Sequence, residues 1–390
     1  MKEVSRNLLP LSSEDYPTSG SIETGYFVFT LMPSLFCPLR CPHCYLSVAE
    51  RENRTILSPE IITAACKKID AYWNSRGIKR RTVICYWYGG EPTSMGVENF
   101  RRMADSINNV FHADQGYRVK HVVLTSLVSV KDEWYSIFEQ YCRGEVQTSF
   151  DGNMRGSSYV RKWERRVRDA ISAGLSVSTI SVVNREILSQ GAVNALDYLS
   201  DLGVVQTSWL PFMWNEQNST GSFDRYAPSM DEWSDFMMQV TEHWLVRRTS
   251  GQHVPQIGQM RFILAQAKRG QLANVAAQTL FLMPNGDFVL PDYRDGWLEF
   301  MRPFGNIVDQ NFGDILASPS RRAYLRRQVL RNHNPECLSC DHYDKCVMEF
   351  WKDNRPGDEC FGGKRYVEWL IARSSQIEEA IGPNSDPMLC

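Results

Sequence analysis

The feature that most constrains the fold is an alternation of short apolar runs with longer amphipathic segments from Tyr26 to about Phe212. Short apolar runs are typical of buried parallel strands, and the amphipathic segments are typical of the helices that connect them. The predicted strands cover 26–32, 82–88, 119–125, 146–150, 175–182 and 204–210. The predicted helices cover 59–77, 96–111, 131–143, 158–173 and 186–201. This pattern predicts an α/β protein with a partial (β/α)6 barrel.

The rest of the chain divides into segments of different character. We predict an N-terminal extension at 1–25, the barrel at 26–213, a helical insertion or linker at 214–278 and a small C-terminal domain at 279–390. The insertion begins with polar residues and continues as a predicted helix from 231 to 248. The C-terminal domain begins with a predicted hairpin at 281–290, in which Asn285-Gly286 separates two apolar runs. Predicted helices near 313–331 and 364–381 complete it.

Composition excludes several classes of protein. The 390 residues are 43% hydrophobic and 23% charged, which excludes a disordered, collagenous or coiled-coil chain. A formal net charge of -2 provides no overall field that would attract nucleic acid or anionic lipid. We see neither a secretory signal nor an apolar stretch of about 20 residues, so we expect a cytoplasmic protein without a membrane partner. Eleven cysteines in that compartment favour metal ligation or catalysis over disulfides.

Three cysteines crowd the loop directly after the first predicted strand. Cys37, Cys41 and Cys44 are spaced CxxxCxxC, and Tyr45 follows them. Three soft thiolates suit an iron-sulfur cluster, and the missing fourth ligand would leave one iron open. A zinc site completed by His43 or by a distant residue is the alternative.

This motif, followed by an aromatic residue on the loop after strand one of a strand-helix chain, resembles that of the radical S-adenosylmethionine (radical SAM) superfamily. The resemblance implies a [4Fe-4S] cluster on Cys37, Cys41 and Cys44, with SAM bound at the open iron. It also implies reductive cleavage of SAM to a 5'-deoxyadenosyl radical, which abstracts hydrogen from the substrate. The electron would come from an external donor such as flavodoxin or ferredoxin.

The same resemblance assigns polar residues near the strand ends to SAM binding. Gly89-Gly90-Glu91 corresponds to the GGE motif of the family, and Ser149-Phe150-Asp151 falls in its SxDG segment. The carboxyl ends of parallel strands meet at one mouth, so these groups are expected to converge there. The residues implied to bind SAM are Tyr45, Gly89, Gly90, Glu91, Thr125, Ser126, Ser149, Asp151 and Asn184.

A second group of cysteines lies near the C-terminus. The pattern is CxxCx5C followed, after thirteen intervening residues, by one more cysteine; its members are Cys337, Cys340, Cys346 and Cys360. Four thiolates can close a zinc or an iron-sulfur site, and spacing alone does not separate the two. Behind a radical SAM barrel the segment resembles the SPASM extension, or a twitch-like version of it, which implies that these four hold one auxiliary [4Fe-4S] cluster.

The family pattern contains a second auxiliary cluster whose ligands are missing here. Pro291 and Phe350 stand at two of its cysteine positions, and no cysteine lies in the stretch before Gly286 where the pattern begins. Asp292 follows Pro291 as an aspartate follows the cysteine in sulfatase-maturing relatives, which implies a catalytic base for the substrate's proton. An exposed turn aspartate is the alternative.

The resemblance spans about Tyr26 to Trp369 and predicts a radical SAM oxidoreductase or maturase. One substrate class is a peptide or protein, oxidised, epimerised or crosslinked at a side chain or backbone carbon. Another is a small molecule such as an amino acid, sugar or nucleoside. The 36 residues before Cys37 are fewer than the recognition module of many peptide-modifying members, which adds weight to the small molecule. A non-catalytic metal scaffold or electron-transfer protein is the alternative of another class.

Overall fold

Ten β-strands form one sheet in the computed structural model, which describes residues 20–218, 221–269, 275–291, 301–330, 337, 339–342 and 357–382. The strands are β1 (Tyr26–Leu31), β2 (Arg81–Trp87), β3 (Tyr117–Thr125), β4 (Glu145–Ser149), β5 (Ser176–Val182), β6 (Gln206–Leu210), β7 (Gln256–Ile257), β8 (Thr279–Leu282), β9 (Asp287–Val289) and β10 (Gly305–Asn306). Their order is β10-β9-β8-β1-β2-β3-β4-β5-β6-β7. Neighbours from β8 through β1 to β7 are parallel, and β9 is antiparallel to β8 and β10.

Helices alternate with the strands, and those between β1 and β7 connect parallel neighbours in the sheet. They are α1 (Val48–Glu52), α2 (Pro59–Ser75), α3 (Val97–Val110), α4 (Glu133–Cys142), α5 (Ser157–Ser172), α6 (Arg185–Gln190), α7 (Ala192–Leu202), α8 (Ser222–Tyr226), α9 (Met230–Thr249), α10 (Gly258–Arg269), α11 (Val275–Gln278), α12 (Phe312–Leu316), α13 (Pro319–Leu330), α14 (Lys364–Ala372) and α15 (Ser374–Ile381). Aromatic rings fill the space between sheet and helices, with Trp87 4.5 Å from Phe100 of α3 and Phe150 4.5 Å from Trp163 of α5. None of the helices in these ranges combines the length and the hydrophobicity that a membrane span requires.

The predicted α/β fold is confirmed, and the six predicted strands are β1 to β6 with ends shifted by at most two residues. Three predicted helices are divided. The segment 186–201 breaks at Gly191, whose φ of 83° and ψ of 149° lie outside the helical region. The segment 313–331 breaks before Pro319, which cannot donate a backbone hydrogen bond and begins α13. The segment 364–381 breaks at Arg373.

The predicted hairpin extends the barrel sheet. Strands β8 and β9 pair antiparallel on either side of the turn at 283–286, and β8 also pairs parallel with β1 through Val28 and Thr279. The side chain of Lys68 on α2 donates to the carbonyls of Ile307 and Val308 at 2.6 and 3.1 Å, which ties the loop after β10 to the barrel helices. The barrel sheet therefore includes strands that follow residue 279, where the C-terminal domain was predicted to begin. The domain boundaries remain a prediction.

Hydrogen bonds also join the C-terminal segment around residues 358–365 to α9. The carboxylate of Asp358 accepts from the backbone N–H groups of Met230 and Asp231 at 2.8 and 3.2 Å, in the first turn of that helix. The guanidinium of Arg365 donates to Asp231 and Asp235 at 2.9 and 2.7 Å. Helix N-termini favour carboxylates because their first N–H groups lack partners within the helix. The segment around Cys360 is thereby held against α9.

Replacing Asp358 by alanine should lower the free energy of unfolding by about 1 kcal/mol, because the first turn of α9 loses an acceptor for its N–H groups. Urea unfolding of the purified chain measures the change. Asp309→Ala, at an exposed carboxylate, is the matched control and should change stability by less than about 0.5 kcal/mol. Equal losses in the two variants would contradict a capping role for Asp358.

Candidate functional site

A buried carboxylate lies just beyond the carboxyl end of β2. The Glu91 side chain, 2% exposed, accepts hydrogen bonds from the Thr93 and Thr125 hydroxyls, both at 2.6 Å. It also accepts from the Ser126 hydroxyl at 2.6 Å and the Ser126 N–H at 2.9 Å. Among the described residues, no Lys, Arg or His lies within salt-bridge distance of it. All these partners donate and none of them is charged, so both carboxyl oxygens of Glu91 are occupied as acceptors by neutral groups.

The two glycines before Glu91 bring its strand against the loop that carries the first cysteines. The N–H of Gly90 donates to the Ser34 carbonyl at 3.0 Å, and the N–H of Glu91 donates to the Phe36 carbonyl at 2.8 Å. A Cβ atom on Gly90 would stand 2.2 Å from the Leu35 carbonyl oxygen, closer than real contacts allow. The approach of the two backbones therefore requires glycine at this position.

The three cysteines of this loop lie between β1 and α1. Burial raises the pKa of Cys37 to about 12 and also raises those of Cys41 and Cys44. The backbone N–H groups of Leu39 and Leu46 donate to Cys37 and Cys44 and oppose that rise. Buried thiols ionise when a cation such as a metal stands beside them. Within the described ranges no group of three His, Cys, Asp or Glu is arranged to hold a metal ion, so a cluster here rests on spacing and the shared loop.

A buried ion pair lies beside these thiols. Asp151, 1% exposed, accepts from the Arg155 Nε at 2.6 Å and from the Val182 N–H at 2.8 Å. Burial opposes ionisation of Asp151, but Arg155 and the other donors outweigh it and hold the pKa of Asp151 below its ordinary value. The positive charge of Arg155 also opposes the rise that burial causes in the pKa of Cys41. The His43 Nε2 lies 3.7 Å from Asp151, and burial lowers the pKa of His43 to about 4, which leaves it neutral.

The amide of Asn184 is occupied within the protein. Its Nδ2 donates to the carbonyls of Asp151 and Val182 at 3.0 and 2.8 Å. Its Oδ1 accepts from the N–H groups of Glu186 and Ile187 at 2.9 and 3.2 Å and caps α6. The side chain therefore positions the ends of β4 and β5, and any effect on a ligand would pass through Asp151.

The remaining predicted contacts lie at the same end of the sheet. The ring of Tyr45 stacks on that of Tyr88, with the ring centroids 6.2 Å apart. Ser149 ends β4, and its carbonyl accepts from the Tyr159 hydroxyl at 3.1 Å. Sequence reasoning did not identify Arg155, although its position four residues after Asp151 could have indicated an ion pair.

The second group of cysteines is described in part. The N–H of Cys340 donates to the Cys337 carbonyl at 3.2 Å, and the Cys340 sulfur accepts from the His342 N–H at 3.4 Å. Burial raises the pKa of the Cys360 thiol, and repulsion from Cys340 adds to the rise. The Pro291 carbonyl accepts from the Tyr324 hydroxyl at 2.8 Å. Cys346, Phe350 and Asp292 lie outside the described residues.

Solved structures share this fold. The structure of anSMEcpe with bound AdoMet superposes with a TM-score of 0.69 at 14% identity, over 90% of this chain and 97% of that chain. Streptococcus suis SuiB bound to S-adenosylmethionine gives 0.60 at 14% identity, over 86% of this chain and 78% of that chain. No protein-family model matches the chain. At this identity the likeness establishes the fold, and function depends on the site.

Replacing Gly90 by alanine should lower the free energy of unfolding by about 2 kcal/mol or more, because the new methyl group collides with backbone carbonyls that cannot turn away. Chemical denaturation measures this loss. Gly77→Ala, where a Cβ meets no atom within 4 Å and only positive φ opposes it, should cost about 1 kcal/mol. A Gly90 variant no less stable than the Gly77 variant would contradict the close approach.

Proposed function

We propose that this chain, which has the fold of radical SAM enzymes with a SPASM-like domain, cleaves SAM reductively and abstracts hydrogen from a peptide or protein. The observation that carries the proposal is the Glu91 carboxylate, buried at the strand ends without a cation among the described residues. A buried negative charge is stabilised by a positively charged ligand. The ammonium group of SAM is a suitable cation, and the loop bearing Cys37 contacts the same segment.

The residues around Cys37, Cys41 and Cys44 suit a [4Fe-4S] cluster. The donor set is three soft thiols, two of which already accept backbone N–H groups of the kind that stabilise cluster sulfur. When bound, the cluster supplies the electron that breaks the sulfonium bond of SAM. The protein contributes burial, which excludes water, and the cation Arg155, which favours the ionised form of Cys41.

The other strand-end groups would orient SAM. The backbone of Gly89 and Gly90 and the hydroxyl groups of Thr125 and Ser126 would contact it directly, and Glu91 holds those hydroxyl groups in place. The residues proposed to complete the SAM site are Tyr45, Ser149, Asp151 and Asn184. In this assignment Asn184 acts through the backbone of Asp151.

Structural relatives favour a peptide substrate. A second anSMEcpe structure contains AdoMet together with the peptide Cp18Cys, and one SuiB structure contains the precursor peptide SuiA. We infer the same substrate class for this chain, with oxidation, epimerisation or crosslinking as the outcome. Asp292 is our candidate for the base that takes the substrate's proton, and flavodoxin or ferredoxin for the electron donor.

We assign one auxiliary [4Fe-4S] cluster to Cys337, Cys340, Cys346 and Cys360. The spacing of these four cysteines, which resembles that of the SPASM extension, supports this assignment. Four cysteine ligands leave no iron open, so this cluster would relay electrons or hold the C-terminal segment.

Iron content tests both clusters. The anaerobically reconstituted chain should carry about eight irons, because each [4Fe-4S] cluster contributes four. The variant with Cys37, Cys41 and Cys44 all replaced by alanine should retain about four. Iron and zinc are measured together by plasma mass spectrometry. Zinc in place of iron in the triple variant would overturn the auxiliary cluster.

SAM cleavage tests the catalytic assignment. The reduced, reconstituted chain should release 5'-deoxyadenosine from SAM, measured by liquid chromatography. Glu91→Gln should weaken SAM binding about tenfold without loss of iron, because the ligand's ammonium loses its counter-charge. Glu98→Gln, at an exposed carboxylate on α3, is the matched control. Complete absence of 5'-deoxyadenosine would favour a metal scaffold or electron-transfer protein.

A further inference from the structure

Four polar side chains form a row across strands β4 to β7. The strand register places Gln147 beside Ser178, Ser178 beside Gln206, and Gln206 beside Gln256. Side chains at paired positions of neighbouring strands project from the same face of a sheet. These four residues, which we call the polar row, therefore point to one side.

The polar row faces away from the helices. The residue after Gln147 is Thr148, whose hydroxyl accepts from the Trp163 indole of α5 at 3.0 Å. Trp209 of β6, three residues after Gln206, has its ring 5.2 Å from Phe236 of α9. Because successive strand residues alternate between faces, these contacts place Gln147 and Gln206 on the opposite face, inside the barrel.

A contact across the barrel confirms this orientation. The hydroxyl of Tyr86 on β2 donates to the Gln147 Oε1 on β4, although β3 separates the two strands. Two side chains can span an intervening strand in this way only on the concave face of a curved sheet. The polar row and Tyr86 therefore line the barrel interior.

Two ion pairs flank the polar row along the strand direction. Toward the amino ends of the strands, Lys120 and Glu145 form an ion pair at 2.7 Å. Toward the carboxyl ends, Asp151 and Arg155 form the buried pair described above. The described row between them is neutral, so an ionised ligand group would find no counter-charge there and would be costly to bury.

Several polar atoms of this region lack partners within the described residues. They are the Ser178 and Ser208 hydroxyls, the Gln256 Oε1 and both amide atoms of Gln259 at the start of α10. Buried polar groups in folded proteins are almost always hydrogen-bonded, and each unpaired one costs free energy. A ligand that offers neutral donors and acceptors would satisfy them.

We propose that the polar row binds an uncharged, hydrogen-bonding part of the substrate, an amide or a hydroxyl group, within the barrel. This inference rests on the proposed function, because it takes the SAM site to lie near Ser149. Gln147 of the row precedes Ser149 by two residues on β4, which is about 7 Å toward the amino end of the strand. That distance suits recognition of a group beside the carbon that loses hydrogen. The row distinguishes neutral polar substrates from charged and apolar ones.

Three deuterated probes test the proposal on the reconstituted, SAM-loaded chain. They are N-acetylalaninamide for an amide, glucose for hydroxyl groups, and glutamate as a charged comparison. Saturation-transfer NMR measures binding of each. In a parallel reduced reaction, the 5'-deoxyadenosyl radical takes deuterium from a C–D bond of the bound probe and becomes deuterated 5'-deoxyadenosine. The probe radical then takes a hydrogen atom from the assay's thiol, or an electron from its dithionite and a proton from water. Mass spectrometry then measures deuterium in 5'-deoxyadenosine.

Two alanine variants on one strand provide the matched comparison. Ser178 belongs to the polar row, whereas Ser181 lies three positions along β5 on the opposite face, and both hydroxyls are buried without a partner among the described residues. Ser178→Ala should weaken binding of the neutral probe about fivefold, the effect of losing one hydrogen bond, and should reduce deuterium transfer in proportion. Ser181→Ala should change neither. Gln206→Leu should reproduce the loss.

If only the amide probe binds, the result indicates a peptide substrate. If only glucose binds, it indicates a hydroxylated small molecule, and either result supports the proposal. The proposal would be overturned if glutamate bound as well as the neutral probes, or if neither neutral probe bound. Equal behaviour of the Ser178 and Ser181 variants would also overturn it. Failure of the proposed function has a different signature, since 5'-deoxyadenosine would then be missing with every probe and without any.

Discussion

One buried carboxylate organises the mouth of the barrel. Glu91 follows β2, yet it accepts hydrogen bonds from two residues at the end of β3, Thr125 and Ser126. The same segment contacts the backbone before Cys37 through Gly90. The loop that bears Cys37 and the ends of two neighbouring strands are thus held by one buried carboxyl group. Its burial costs free energy, which neutral donors offset only in part and which a bound cation would offset further.

Much of the barrel was predictable because its physics is local along the chain. Apolar runs bounded by glycine located β1 to β6, and a Ser-Pro start located α2. The prediction was wrong where the helical spacing of apolar residues continued past a residue that interrupts the helix, as at Gly191 between α6 and α7. The strand β7 has two residues and offers too short a pattern to recognise.

The site was predictable only to the extent that a motif identified it. Spacing and family resemblance pointed to Glu91 and Asp151, but not to the way each is held. The bonds from Thr93 and Arg155 to these carboxylates depend on turn geometry, which one sequence does not specify. The polar row was missed for a related reason. Its members are far apart in the chain, and only the strand register brings Gln147, Ser178 and Gln206 side by side.

The position of β1 in the sheet has a consequence for how the chain folds. One edge of β1 pairs with β2, but the other pairs with β8, whose residues follow about 250 positions later. During synthesis β1 therefore remains an unpaired edge until most of the polypeptide has left the ribosome. Long-range pairing of this kind slows folding and exposes a strand to wrong partners. The interval before β8 arrives is when a nascent chain would most need protection by a chaperone.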